Sequence, residues 1–175
     1  MRTLVIRLLF LPTLAYNLVM SRLAPKRRWW DRVDEHVILG ALPLPMFVSK
    51  MAAEGVRAVV NTCAEYRGPV TAYGRHHIEQ LRIPCLDFTP PKLEDIERAI
   101  DFMREHAARG ETIYVHCKAG RGRSATVVLC WLVAQRGISP EEAQAELLRV
   151  RPHVNTFLAQ REVVQAFSAK ARPSA

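Results

Sequence analysis

No apolar run in this chain reaches the roughly 18 residues that a confident membrane span requires. There is no C-x-x-C pair. The only close Cys/His pairing is His116-Cys117, and adjacent residues cannot easily hold one metal together, so a zinc site is disfavoured. No internal repeat is present, which argues against a solenoid. Acid is missing from residues 1–30, which hold Arg2, Arg7, Arg22, Lys26, Arg27 and Arg28: +6 of a formal net charge of +8. The body therefore carries only +2 and lacks the basic stripe that a nucleic-acid binder needs. What is present suits one globular domain. The length is 175 residues, and 49% apolar against 24% charged residues excludes disorder throughout. Cys63, Cys85 and Cys130 lie in apolar runs and read as buried small hydrophobes, which suits a reducing compartment.

Residues 1–30 form a basic, apolar amino-terminal segment, 31–170 the folded domain and 171–175 a loose tail. The stretch TLVIRLLFLPTLAYNLVM at 3–20 has the start and middle of a signal peptide but no A-x-A site, and it has few serines for a transit peptide. An interfacial helix fits better, with Lys26-Arg27-Arg28 and Trp29-Trp30 as an anchor on an anionic surface. A first helix packed on the domain is the alternative.

Strands are expected at Val37–Leu39, ended by Gly40, at Val56–Asn61, at Leu81–Leu86 and at Ile113–His116. A short helix is expected over 46–54 with Gly55 just past its end, and a loop over 62–75. Pro90-Pro91 opens a helix through Ala108, with Leu93, Ile96, Ile100, Met103 and Ala107 on one face. A helix from about Ser124 to Gln135 is apolar nearly all round, hence central. Ser139-Pro140-Glu141-Glu142 reads as a capping box with Pro at N1, and a last helix is expected over about 156–169. Alternating strands and helices argue an α/β fold with a largely parallel sheet.

The chemistry concentrates in His116-Cys117-Lys118-Ala119-Gly120-Arg121-Gly122-Arg123-Ser124. A cysteine followed six places later by an arginine is common by chance. Its setting between a buried strand and a buried helix, with glycines at the third and fifth positions after the cysteine, is that of a phosphate cradle. Glycines let successive N–H groups turn inward around an anion, and the helix amino terminus adds partial positive charge. That field lowers a thiol pKa and makes Cys117 a nucleophile. Arg123 can grip two phosphoryl oxygens as a planar fork. Ser124 can donate to the sulfur and ease its departure, and His116 is expected to orient the loop through a backbone contact. Lys118, Ala119, Gly120, Arg121 and Gly122 complete the substrate-binding loop.

These residues match the H-C-x₅-R-[ST] signature of cysteine-dependent phosphatases, and 116–126 closely resembles the mitochondrial tyrosine-phosphatase-like branch, the phosphatidylglycerophosphate phosphatases. Leu11–Asn17, Trp29–Asp34, Leu39–Pro43 and Arg151-Pro152 also resemble that family, so the likeness runs from about residue 8 to 167. It implies the dual-specificity phosphatase fold, a central, mostly parallel sheet flanked by helices. It also implies no metal and no cofactor, a phospholipid substrate on an anionic membrane surface, no nucleic-acid partner, and a monomer. The location implied is the mitochondrial inner membrane in a eukaryote or the cytoplasmic membrane in a bacterium.

The resemblance implies a general acid on a loop roughly 30 residues before the cysteine, where Asp87 stands, since an alkoxide leaving group needs a proton. Asp95 is the runner-up, inside the next expected helix. The family's acidic-tyrosine loop corresponds to Ala64-Glu65-Tyr66-Arg67, so Glu65 and Tyr66 are expected to shape the substrate mouth, with Ala64 and Arg67 departing from the pattern. Three functions remain open: a lipid phosphatase, a dual-specificity protein phosphatase with the same cradle, and a non-catalytic phosphate-binding scaffold. A rhodanese-type sulfur transferase is disfavoured by the Arg123-Ser124 ending and by Asp87.

Overall fold

The computed structural model describes residues 28–171 together with Pro12. Most of the amino-terminal segment and the tail from 172 onward lie outside the described residues. Trp29 and Trp30, read from the sequence as an interfacial anchor, sit in the fold. Trp30 opens strand β1 (Trp30–Arg32), and Trp29 donates from Nε1 to the Leu42 carbonyl at 3.1 Å. Both rings pack on Phe47.

The remaining strands are β2 (Val37–Gly40), β3 (Val56–Cys63), β4 (Glu79–Cys85) and β5 (Thr112–His116). They form one five-stranded sheet in the order β1-β2-β5-β3-β4. β1 pairs antiparallel with β2, and all other pairings are parallel. The carboxyl ends of β2 to β5 therefore share one edge, where the candidate site lies.

Burial on both faces explains the run of β-branched residues. Val37, Leu39, Val60, Ile113 and Val115 face one core with helices α3 (Leu93–Ala108), α4 (Arg123–Arg136), α5 (Pro140–Val150) and α6 (Glu162–Ala171). Ile38, Val59 and Tyr114 face a smaller core with Val48 and Met51 of α1 (Val48–Ala53) and Tyr73 of α2 (Val70–Arg75). α4 is buried on every side from Arg123 to Val133, as its apolar sequence predicts. The capping box at Ser139 is present, with reciprocal bonds between Ser139 and Glu142. Gly55 and Gly137 take left-handed conformations just past helices α1 and α4.

Three expectations are corrected. The stretch 62–75 is not a plain loop: β3 runs on to Cys63, and Val70–Arg75 forms α2, where Tyr73 supplies a buried anchor that outweighs the breaking effect of Gly74. The expected helix over 46–54 begins as a 3-10 turn at Pro45–Phe47. The last helix begins at Glu162 rather than near 156, because Asn155 to Arg161 are spent on turns. There Gln144 accepts the Leu158 and Ala159 N–H groups at 2.9 and 3.3 Å.

Candidate active site

Cys117 follows the last residue of β5, and the chain turns through Lys118–Gly122 into the amino terminus of α4. The turn closes around the sulfur. The Gly120 N–H and the Ser124 hydroxyl each donate to Cys117 Sγ at 3.2 Å. Gly120 has φ +66°, and a Cβ there would stand 2.5 Å from the Gly40 carbonyl oxygen, so only glycine fits this turn. Gly40 in turn leaves room for the Tyr114 ring, whose hydroxyl donates to the Ala41 carbonyl at 2.7 Å.

Burial alone would raise the Cys117 pKa. The Arg123 guanidinium, then hydrogen bonds from Ser124 and the Arg121 backbone, more than offset it and bring the thiol down to about 7. Cys130, buried without such help, is pushed upward, and so is Cys63, where burial outweighs the pull of Arg123. Burial also holds His116 down at about 3, so its ring is neutral, with Nδ1 3.3 Å from the Cys117 carbonyl. Thr62 Oγ1 secures the His116 carbonyl at 2.9 Å.

Arg123 is buried at the start of α4 and holds three partners. Its Nη1 donates to Glu65 Oε2 at 2.9 Å and to the Cys85 carbonyl at 2.8 Å, and its Nη2 lies 3.0 Å from Asp87 Oδ1. Asp87 also pairs with Lys118 Nζ at 2.6 Å, which closes a chain of charge across the cradle. Glu65 does more than edge a mouth. Its Oε1 accepts the Asp87 backbone N–H at 2.9 Å, so one buried carboxylate fixes both Arg123 and the Asp87 loop. Tyr66 donates to the Pro43 carbonyl at 2.8 Å, and burial raises its pKa to about 12, so it is a neutral donor. Asp95 lies on α3, paired with the exposed Arg98 on the same helix, and does not join the cluster. Among the described residues no group of three His, Cys, Asp or Glu could hold a metal ion.

The sequence reading missed the support beneath the loop. Arg151, 1% exposed, donates from Nε to the Gly120 carbonyl at 2.9 Å and from Nη2 to the Ala119 carbonyl at 3.1 Å. Its Nη1 meets Asp31 Oδ2 of β1 at 2.5 Å and the Arg28 carbonyl at 3.1 Å. A loop whose N–H groups converge on an anion must turn carbonyls outward, and a buried guanidinium satisfies two of them. Arg151-Pro152 was legible as a motif, but its partner Asp31 lies 120 residues away in sequence. Arg151→Lys keeps the charge and loses the fork. The expected result is a folded protein with kcat reduced about 10²-fold, the cost of a small misplacement in a reacting geometry. The midpoint for alkylation of Cys117 should move above the present value of about 7, since thiolate reactivity rises as pH passes the thiol pKa. Rates of iodoacetamide labelling against pH would measure it.

A family model described as "Dual specificity phosphatase, catalytic domain" matches residues 37–168. The chain is 40% identical over 170 residues to the phosphatidylglycerophosphate phosphatase PTPMT2 of Arabidopsis thaliana, spanning 95% of this chain and 75% of that protein. It is 36% identical over 170 residues to phosphatidylglycerophosphatase and protein-tyrosine phosphatase 1 of Mus musculus, spanning 92% and 88%. The crystal structure of PTPMT1 in complex with PI(5)P matches with a TM-score of 0.73 at 31% identity, over 82% of this chain and 99% of that one. Fold and cradle thus define a cysteine-dependent phosphatase. The chain belongs to the dual-specificity phosphatase family, in the branch of the phosphatidylglycerophosphate phosphatases.

Proposed function

We propose that this protein hydrolyses the phosphomonoester of phosphatidylglycerophosphate at a membrane surface. The observation that carries the chemistry is Cys117, a thiol brought to about 7 where Arg123 and the start of α4 converge. In the first step Cys117 Sγ attacks phosphorus, the bond from phosphorus to the glycerol oxygen breaks, and Asp87 passes a proton to the departing oxygen. The phosphoryl group takes the place of the Asp87 carboxylate as partner of Lys118 and Arg123, while the N–H groups of Lys118–Gly122 receive its equatorial oxygens. In the second step water attacks the phosphocysteine and Asp87 accepts its proton. The thiolate leaves onto the Ser124 hydroxyl, already 3.2 Å from the sulfur. Glu65 acts as a positioning group for Arg123 and Asp87, and His116 for the loop.

The lipid assignment is supported by the phosphatidylglycerophosphate phosphatases among the plant and mouse relatives and by the phosphoinositide bound in a matching structure. The basic segment before Arg28 supports work on an anionic membrane, the mitochondrial inner membrane in a eukaryotic cell or the cytoplasmic membrane in a bacterium. Among the described residues no helix is long and apolar enough to cross one.

The test is phosphate release from phosphatidylglycerophosphate in mixed micelles, beside a phosphoinositide and a phosphotyrosine peptide. Phosphatidylglycerophosphate should show the highest kcat/KM by about tenfold or more. A preference for the peptide would make the protein a dual-specificity protein phosphatase. Binding of phosphate without turnover of any substrate would make it a scaffold.

A further inference from the structure

Four of the five large apolar side chains exposed among the described residues stand on loops, or on the 3-10 turn Pro45–Phe47, at the edge that holds the cradle. They are Met46, Leu86, Phe88 and Phe157. Leu86 and Phe88 flank Asp87. The loop carrying Phe157 is tied to the cradle, with Arg121 Nε donating to the His153 carbonyl at 2.7 Å and the Asn155 N–H to the Arg121 carbonyl at 2.9 Å.

Phe88 is the telling residue. It is 84% exposed and has φ +65°, a conformation that side chains bearing a Cβ seldom adopt. The turn is pinned. Thr89 donates from N and from Oγ1 to the Leu86 carbonyl at 3.2 and 2.7 Å, and the Phe88 N–H meets Asp87 Oδ1 at 3.2 Å. Glycine or asparagine would hold this position with less strain and no exposed ring. Backbone strain and an exposed aromatic coincide beside the proposed acid, which marks a surface built to meet something apolar.

Charge identifies the partner. The loops 41–47, 64–69, 86–92, 117–122 and 151–161 contain only two acids, Glu65 and Asp87, and both are paired with Arg123. Arg67, Lys92 and Arg121 are exposed on the same loops. The opposite edge is mixed in charge, with Asp34, Glu35, Glu54, Glu79 and Glu111 interspersed with Arg32, Arg57, Arg109 and Arg136. The Arg28 carbonyl is held by Arg151 at the cradle edge, and the sequence before Arg28 has five basic residues and no acid. A molecule basic and apolar at one edge and mixed in charge at the other is oriented by an anionic bilayer.

The geometry points to a membrane-docking face around the cradle. Phe88 at its tip, with Leu86, Met46 and Phe157, enters the interfacial layer, and Arg67, Lys92 and Arg121 meet anionic headgroups. A lipid phosphate then reaches Cys117 without its chains leaving the bilayer. The role in turnover rests on the lipid reading above, but docking itself does not.

The experiment uses the full chain with phosphatidylcholine vesicles, with and without phosphatidylglycerol. Phe88→Gly and Phe157→Ser should each weaken binding to the anionic vesicles by about tenfold, the change expected from losing burial of one aromatic side chain. Hydrolysis of a soluble aryl phosphate should stay within about twofold of wild type, which separates interfacial binding from chemistry. Phe88→Gly should leave the unfolding midpoint unchanged or higher, and the emission of Phe88→Trp should move to the blue on anionic vesicles alone. Unchanged vesicle binding in both loop variants would overturn the proposal. So would equal losses on vesicle-borne and soluble substrates, which would place Phe88 in the reacting site. If Phe88 governs vesicle binding but phosphatidylglycerophosphate is not hydrolysed, the docking face stands and the substrate assignment falls.

Discussion

Cys117→Ser is expected to leave less than about 1% of wild-type turnover, because a nucleophile supplies far more than the roughly 10²-fold of a weak general acid or base. Everything that brings the Cys117 thiol down to about 7 acts on an ionisable sulfur: the Arg123 charge, the Ser124 hydroxyl and the backbone N–H groups. A serine hydroxyl in the same place remains protonated at neutral pH, and the same groups cannot make it an alkoxide. The fold should survive, since the smaller oxygen still accepts from Gly120 N and Ser124 Oγ and the carbonyl side of the loop remains held by Arg151. Phosphate release and circular dichroism, measured on one preparation, check both halves. A substantial residual rate would exclude covalent catalysis through this residue.

Asp87→Asn is expected to discriminate between leaving groups. The amide keeps the size of the carboxyl and can still accept from Arg123, but it has no proton to give. A glycerol oxygen, with its high pKa, should lose on the order of 10²–10⁴-fold in rate, and a nitrophenolate clearly less. Rates of the first, phosphocysteine-forming step on the two substrates provide the measurement. Equal losses would assign Asp87 a structural part as the tie between Lys118 and Arg123, consistent with its contacts at 2.6 and 3.0 Å. Asp95 could not take over, because it is held on α3 beside Arg98.

Much of this site was legible in the chain because its parts are contiguous. Cys117, Gly120, Gly122, Arg123 and Ser124 fall within eight residues, and their order alone dictates strand, inward-turning loop and helix start. The strands announced themselves by β-branched runs, and α4 by apolar character on all sides, since each is covered by neighbours everywhere. Helix α2 was hidden because six residues with a glycine carry too little pattern, and only the burial of Tyr73 against the sheet secures it. The inward contacts of Glu65 were hidden for a related reason. Beside Tyr66 it reads as a residue of the substrate mouth, whereas its carboxylate turns inward to Arg123, 58 residues later.

The amino-acid sequence by itself determined the chemistry of the protein: a nucleophile, its glycine cradle, its guanidinium and its hydroxyl, all set by local backbone rules over one short segment. Tertiary structure decided how that chemistry is held and presented. The antiparallel edge strand β1 brings Asp31 to Arg151, while the parallel strands bring Glu65 to Arg123 and set Asp87 between Lys118 and Arg123. The sheet also gathers exposed apolar and basic side chains, with few acids, at the edge that holds the cradle. Buried charges must find partners wherever the chain brings them, and parallel strands release every outgoing loop at the same carboxyl edge. Neither relation has a fixed separation in sequence, so both emerge only when the sheet is assembled.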